Sequence, residues 1–232
     1  AMADLMTDVN YLNVSTDVAI LGFGFKKADY FFSFGMNNRT DSYFGIPRDI
    51  VTSAMDGNLD YENDKIRNIN FSGIGANVTN YFEFALGISK VVNSQLIVGG
   101  RLKYLKGVGN IQTERSELII ETDQDAKQTR ILVDMLANAS FPAETKYNED
   151  GDFDGYNTDE SFENPIDDFL LTKNNGFAID LGATYALSEK ATISAGLLDF
   201  GFIKWKSNTH TLKAMGEFPF EGIDLYPVIN DE

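Results

Sequence analysis

The sequence predicts an all-β fold of antiparallel, up-and-down strands with long acidic loops and one short helix. Three observations predict it: apolar and polar residues alternate with a period of two, short polar turns join the alternating segments, and the other connections are long. The alternation alone fits two architectures. One is a soluble sandwich with one wet face, and the other is an outer-membrane β-barrel whose apolar face meets lipid and whose polar face meets the lumen.

The clearest hairpin covers residues 81–107. Its apolar face carries Phe82, Phe84, Leu86, Ile88, Leu96, Val98, Leu102 and Tyr104. Its other face is small, polar or charged and includes Glu83, Arg101 and Lys103. The second strand is predicted to continue as far as residue 122, which is far longer than the strands of about 5–6 residues in soluble domains. Strands of this length are ordinary where a barrel extends beyond the membrane.

The remaining elements are predicted in chain order from the same alternation. Residues 17–25 and 30–39 form a hairpin, and residues 46–58, with Pro47 near the start and Gly57 near the end, form a short helix. The later predictions are a strand within 68–79, a strand or short helix at 130–137, a long acidic loop at 137–175, a hairpin of 176–187 and 191–200, and a strand at 202–213.

The connections come in two lengths. Residues 26–29, 90–94 and 188–190 are short turns, whereas residues 40–67 and 137–175 are long. Short turns at one end and long loops at the other are typical of an outer-membrane barrel. The expected organisation is a single β-barrel domain over residues 1–232, incomplete at both ends, with 137–175 as an acidic surface loop.

Composition excludes several classes of function. The net charge of −16 argues against a partner nucleic acid, because the phosphate backbone needs clustered Lys and Arg. The absence of cysteine excludes disulfide scaffolds, thiolate metal sites and cysteine nucleophiles. No run approaches the roughly 18 apolar residues of a spanning helix. No nucleophile, base and orienting group come together, so no catalytic residue and no enzyme activity are predicted.

Several segments resemble a domain-of-unknown-function family of Bacteroidota cell-envelope proteins. They are residues 31–37, 46–49, 81–89, 96–107, 178–185 and 198–205. Members of this family look like outer-membrane β-barrels that are distantly similar to fatty-acid-transporter-type barrels. The resemblance spans most of residues 16–225. It implies a fold and a bacterial outer-membrane location, and it implies no catalytic residues.

One candidate metal site lies in the acidic loop. Alternating carboxylates followed by a glycine, as in residues 150–155, are how a calcium loop brings oxygen ligands around one cation. The candidate ligands are Asp150, Asp152, Asp154, Asp159 and Glu160. Position 161, where an EF-hand loop would place its glutamate, is Ser161. The alternative is a solvated acidic surface loop without any cofactor.

A second candidate site lies on the polar face of the strands. If that face lines a lumen, its inward-facing charged residues are Arg39, Glu83, Arg101, Lys103 and Asp180. They could line a channel or bind a polar solute. The alternative is that they pair with one another across neighbouring strands and fill a closed barrel with an ion network.

These observations lead to two functional hypotheses. The first is an outer-membrane β-barrel, in contact with outer-membrane lipid and other envelope proteins, that passes small solutes, including hydrophobic ones, passively or serves as an envelope scaffold. The second is a soluble β-rich binding or interaction module stabilised by calcium. The two differ in one structural respect: a barrel exposes its apolar face, whereas a soluble module buries it.

Overall fold

The computed structural model describes residues 5–57, 59–60, 65–123, 128–141, 144–151, 153–157 and 172–220. Apart from one short helix, the elements are β-strands, so the all-β prediction is confirmed. In chain order they are β1 (Val9–Lys27), β2 (Tyr30–Pro47), α1 (Arg48–Asp56), β3 (Leu59–Asp60), β4 (Lys65–Ile66), β5 (Ile69–Asn70), β6 (Gly75–Val91), β7 (Leu96–Asp123), β8 (Gln128–Ser140), β9 (Glu144–Tyr147), β10 (Phe153–Asn157), β11 (Asn175–Ser188), β12 (Ala191–Lys204) and β13 (Thr209–Phe220).

The long strands form one antiparallel sheet. β1, β2, β6, β7, β11 and β12 lie side by side in that order. β7 belongs to two parts of the sheet, because residues 96–106 pair with β11 and residues 110–123 pair with β8, which in turn pairs with β13. We call the lower part, formed by residues 17–27, 30–39, 81–91 and 96–106 with β11 and β12, the six-strand wall. The upper part, formed by residues 110–123 with β8 and β13, is the extension.

The short turns all lie at the lower end of the wall. β1 and β2 are joined through Ala28 and Asp29, and β11 and β12 through Glu189 and Lys190. Ala28 has a φ of 53°, a left-handed conformation that such tight turns require. The long connections leave the upper end. One of them contains α1, which follows Pro47 and ends before Gly57 at a φ of 66°, so the predicted helix is confirmed.

The apolar face of the wall consists of registered rows that cross all six strands. Neighbouring residues within a row are direct cross-strand partners. The rows are Phe25, Phe32, Ile88, Gly100, Leu181 and Leu197; then Phe23, Phe34, Leu86, Leu102, Ile179 and Phe200; then Leu21, Met36, Phe84, Tyr104, Phe177 and Phe202. This face is open to the surroundings, with Leu86 64% and Leu102 68% exposed.

The opposite face of the wall is concave and carries the buried residues. Arg39 on β2 contacts Asp199 on β12 at 3.2 Å, although three strands lie between them. On a flat sheet these strands would be roughly 19 Å apart, at about 4.8 Å per strand. The curvature buries Glu83, Lys103 and Asp180, which are 4%, 4% and 5% exposed. The wall thus buries charges and exposes hydrophobic side chains.

Three regions differ from the sequence-based expectation. The predicted connection 40–67 begins later, because β2 continues to Pro47. The predicted loop 137–175 begins later, because β8 continues to Ser140, and it contains the β9–β10 hairpin. The predicted strand 202–213 is divided at residues 205–208, where Asn208 has a φ of 52°. The division follows from the change of partner along β7: β12 pairs with β11 in the wall, whereas β13 pairs with β8 in the extension.

Among the described residues, no helix is both long enough and apolar enough to cross a bilayer.

Candidate functional site: an ion network on the concave face

Each strand of the wall contributes a charged side chain to one cluster on the concave face. We call this cluster the ion network; it consists of Asp17 on β1, Arg39 on β2, Glu83 on β6, Lys103 on β7, Asp180 on β11 and Asp199 on β12. The charge alternates in sign from β1 to β11. Asp17 directly faces Arg39, whereas the residues on the next two strands are offset diagonally: Glu83 faces Asn37 and Lys103 faces Ala85, as expected where strands tilt.

Lys103 is the centre of the network. Its Nζ atom lies 2.5 Å from Asp199 Oδ1, 2.8 Å from Asp180 Oδ2 and 3.4 Å from Glu83 Oε2. Its side chain is only 4% exposed, so the ammonium group has exchanged water for carboxylate oxygens. An ammonium group has three N–H donors; one of them is donated to Asp199, and the Asp180 and Glu83 carboxylates lie close to the same group. Removal of this cation would leave the three carboxylates without the one charge that they share.

Arg39 links the two sides of the concave face. Its Nη1 atom lies 3.2 Å from Glu83 Oε2 and 3.2 Å from Asp199 Oδ1. Its Nε atom lies 3.5 Å from Asp17 Oδ2, on the neighbouring strand. The planar guanidinium group can serve several acceptors at once, which a single ammonium group on this strand could not do with the same geometry.

Arg101 lies at the lower edge of the network. Its Nε atom is 3.8 Å from Asp180 Oδ2, and its side chain is 57% exposed. Among the described residues it makes no hydrogen bond. It lines a cavity of about 510 Å³ on the concave face, together with Asp180. The cavity wall is otherwise formed mainly by small residues, among them Ser33, Ser89, Thr184 and Ser194.

The structure brings all five residues predicted for the polar face into one place. Arg39, Glu83, Lys103 and Asp180 pair with one another, and Arg101 lies beside Asp180. Pairing across neighbouring strands is the alternative that the sequence analysis set against a channel lining.

Two members of the network, Asp17 and Asp199, were not predicted. Strict alternation would place both on the apolar face. A β-bulge between Ala19 and Leu21, and another opposite Asp180, shifts each strand by one residue and turns these carboxylates inward. A carboxylate in an otherwise apolar row is the sequence signal that could have revealed them.

A neutral polar cluster lies where the wall meets the extension. Asn174, which is buried, accepts hydrogen bonds at Oδ1 from the backbone N–H groups of Lys206 and Ser207, at 2.7 and 2.9 Å, and its Nδ2 donates to Ser140 Oγ at 3.0 Å. The Gly107 N–H donates to the Asn174 carbonyl at 2.8 Å. These bonds satisfy polar groups where β7 changes partners, so we interpret the cluster as structural.

The extension contains a second group of ion pairs, on its surface. Arg130 Nη2 lies 2.5 Å from Glu121 Oε2, and Arg130 Nη1 lies 3.1 Å from Glu217 Oε1. Hydrogen bonds from Arg130, first to Glu121 and then to Glu217, raise the pKa of the Arg130 guanidinium group. All three side chains are exposed to a third or more.

The predicted calcium ligands lie only partly within the described residues. Asp150 and Asp154 are exposed in the β9–β10 hairpin, whereas Asp152, Asp159 and Glu160 lie outside the described residues. In the part of the chain that the structure describes, no three or more His, Cys, Asp or Glu side chains are arranged so that they could hold a metal ion. Calcium binding stays a prediction; isothermal calorimetry with millimolar calcium tests it, and the absence of heat would refute it.

The comparisons with known proteins give one match. The model of a family of unknown function, DUF5723, matches residues 1–231. Neither the curated proteins nor the solved structures gave a match.

Proposed function

We propose that this chain, which belongs to the DUF5723 family, forms the wall of a bacterial outer-membrane β-barrel through which small polar solutes pass passively. One observation carries the proposal: the wall exposes its apolar rows and buries its charges. Leu102 is 68% exposed, whereas Lys103, the next residue on the same strand, is 4% exposed. In water this arrangement is unfavourable, because exposed apolar area costs about 25 cal/mol per Å². In a bilayer it is the expected arrangement.

The length of the apolar face supports the proposal. On β11 it runs from Phe177 through Ile179, Leu181 and Tyr185 to Leu187. A tilted strand needs roughly 9–11 residues to cross the hydrocarbon core. Aromatic residues are concentrated at the upper row, where Tyr104 packs between Phe84 and Phe177 with ring centroids 6.1 and 5.6 Å apart. Aromatic residues at the edges of the apolar band are typical of membrane barrels.

The chemistry of the concave face supports polar rather than hydrophobic solutes. The cavity there is lined by hydroxyl groups, glycine backbone and the exposed Arg101, and also by apolar side chains such as Phe31 and Leu198. Its hydroxyl and guanidinium groups offer hydrogen bonds to a solute. A hydrophobic solute would leave these groups without partners, which is unfavourable.

A second candidate function is an envelope scaffold without a conducting pore. The observation that favours it is the pairing of charges in the ion network, which spans the concave face from β2 to β12. The two functions predict different conductance in planar lipid bilayers. A scaffold gives none, whereas a passive pore gives discrete conductance steps.

The first experiment is purification of the chain with and without detergent. We expect folded, heat-resistant protein only with detergent or lipid. A monodisperse, folded protein in plain buffer would contradict the membrane assignment and favour the soluble binding module. Circular dichroism and size-exclusion chromatography measure both outcomes.

The second experiment locates the lipid boundary with single cysteines. The chain contains no native cysteine, so spin labels can be placed individually. In nanodiscs, labels at Leu86→Cys and Leu102→Cys are expected to collide with oxygen more than with a polar nickel complex. Met215→Cys, on the extension and 65% exposed, is the matched control and is expected to show the reverse. The same collision ratio at all three positions would refute a membrane boundary between wall and extension.

A further inference from the structure

We propose that the Asp199 carboxylate holds β12 against the inner strands above the cavity, and that its release connects the cavity to the upper end of the wall. We call this carboxylate with its contacts the latch. The inference rests on the proposed function and specifies how passage is regulated. It is carried by three features of the Asp199 position: the backbone conformation, the partners of the carboxylate, and the place of β12 in the sheet.

The backbone at Asp199 is locally irregular. Its φ is 52°, a left-handed conformation that is uncommon for residues other than glycine. The register between β11 and β12 shifts here, so that Leu198 and Asp199 together lie opposite Asp180. The Asp199 N–H donates to Asp180 Oδ1 at 2.8 Å, which holds the bulge in place. A bulge of this kind re-aims one side chain, here from the apolar rows to the concave face.

The Asp199 carboxylate connects groups on distant strands. It accepts hydrogen bonds from Lys103 on β7 and from Arg39 on β2, at 2.5 and 3.2 Å. The ion pair with Arg39 joins β12 to β2 across the three strands between them. Among the described residues, no other ion pair spans these three strands. The cavity lies immediately below it, lined by Asp180 and Leu198.

Displacement of Asp199 would leave every other charge of the network paired. Lys103 would keep Glu83 and Asp180, and Arg39 would keep Asp17 and Glu83. The Asp199 side chain is also 47% exposed, whereas those of Glu83 and Asp180 are nearly buried. Moving the Asp199 carboxylate out of the network therefore costs less free energy than moving that of Glu83 or Asp180.

The position of β12 allows this movement. Within the described residues β12 is hydrogen-bonded along one side only, to β11. An edge strand next to a bulge has fewer backbone bonds to break than a strand with two neighbours. The latch is thus on an edge strand of the wall, and its contacts are on inner strands.

The test measures the distance across the curved face. Spin labels at Met36→Cys and Phe202→Cys lie in one registered row, on β2 and β12, and the absence of native cysteine makes the pair unique. Double electron–electron resonance in nanodiscs is expected to give a longer and broader distance distribution in Asp199→Asn than in the parent. Asparagine tolerates the left-handed conformation, so the bulge is retained while the charge is lost.

The matched control is Asp17→Asn. Asp17 also pairs with Arg39, at 3.5 Å, but from the adjacent strand, so its loss removes a carboxylate without releasing β12. We expect no change of distance in this variant and a several-fold rise in bilayer conductance in Asp199→Asn alone.

Three outcomes overturn the latch. They are an unchanged distance in Asp199→Asn, an equal lengthening in both variants, and a lengthening without any rise in conductance. Failure of the parent chain to enter nanodiscs would instead refute the proposed function itself.

Discussion

Within the described ranges, two clusters that each place a cation between carboxylates differ in how far they are buried. In the ion network of the wall, Lys103 is 4% exposed and contacts carboxylates from three strands. In the extension, Arg130 contacts Glu121 and Glu217 at similar distances, but its side chain is 51% exposed. The pairwise distances are alike, and the surroundings are not.

Because the contact distances are alike, burial is expected to decide what each ion pair contributes to stability. Exposed pairs are screened by water and contribute little to stability. A buried cation that compensates several buried carboxylates cannot be removed without leaving charges in a poor solvent. The following predictions test this comparison, in order of expected effect.

The largest effect is expected for Lys103→Met. The substitution leaves Glu83, Asp180 and Asp199 without their shared cation, and removal of one partner from a buried pair costs about 3–5 kcal/mol. The free energy of unfolding in detergent micelles, followed by the fluorescence of Trp205, measures it. A loss similar to that of an Arg130 variant would show that the network is as solvated as the surface pairs.

A similar cost is expected for a charge on the apolar face. Leu102→Lys places an ammonium group in the middle row; under the proposed function this row lies in the bilayer, where a lysine at the midplane costs about 2–4 kcal/mol. Met215→Lys, at a residue of nearly equal exposure on the extension, is expected to change stability by less than about 0.5 kcal/mol. Equal effects in lipid bilayers, measured by the same unfolding experiment, would contradict the distinction between wall and extension.

A smaller effect is expected at the boundary between the two regions. A Cβ atom at Gly107 would lie 2.6 Å from the ring of Trp205, so Gly107→Ala displaces the indole, and such overpacking costs about 1–3 kcal/mol. Because Trp205 is the single tryptophan, its emission maximum reports the displacement directly. Gly109→Ala, whose nearest contact would be 3.8 Å, is the control and is expected to leave the emission unchanged.

The smallest effect is expected for Arg130→Gln. The pairs with Glu121 and Glu217 are exposed, so we expect no resolvable shift of the unfolding midpoint at any salt concentration. A clear destabilisation at low salt that vanishes at high salt would show that the extension depends on these pairs and would weaken the contrast with the wall.

Much of the architecture could be predicted from the sequence. Period-two alternation located the strands of the wall and the short turns that join them at its lower end. Pro47 and Gly57 marked the two ends of the helix. The polar-face residues Arg39, Glu83, Arg101, Lys103 and Asp180 were identified because they lie in the correct phase of regular strands. Asp17 and Asp199 were missed, because each bulge adds one residue to its strand and so reverses the faces that period-two alternation predicts beyond it.

By itself the sequence determined the phase of each regular strand, because side chains of a strand point alternately to two faces whatever the sheet then does. Only the tertiary structure decided which face is concave, which residues meet across it and where the phase changes. Those outcomes depend on the curvature of the sheet and on bulges, which are set by contacts between residues far apart in the chain. Arg39 and Asp199, 160 positions apart, are the clearest case.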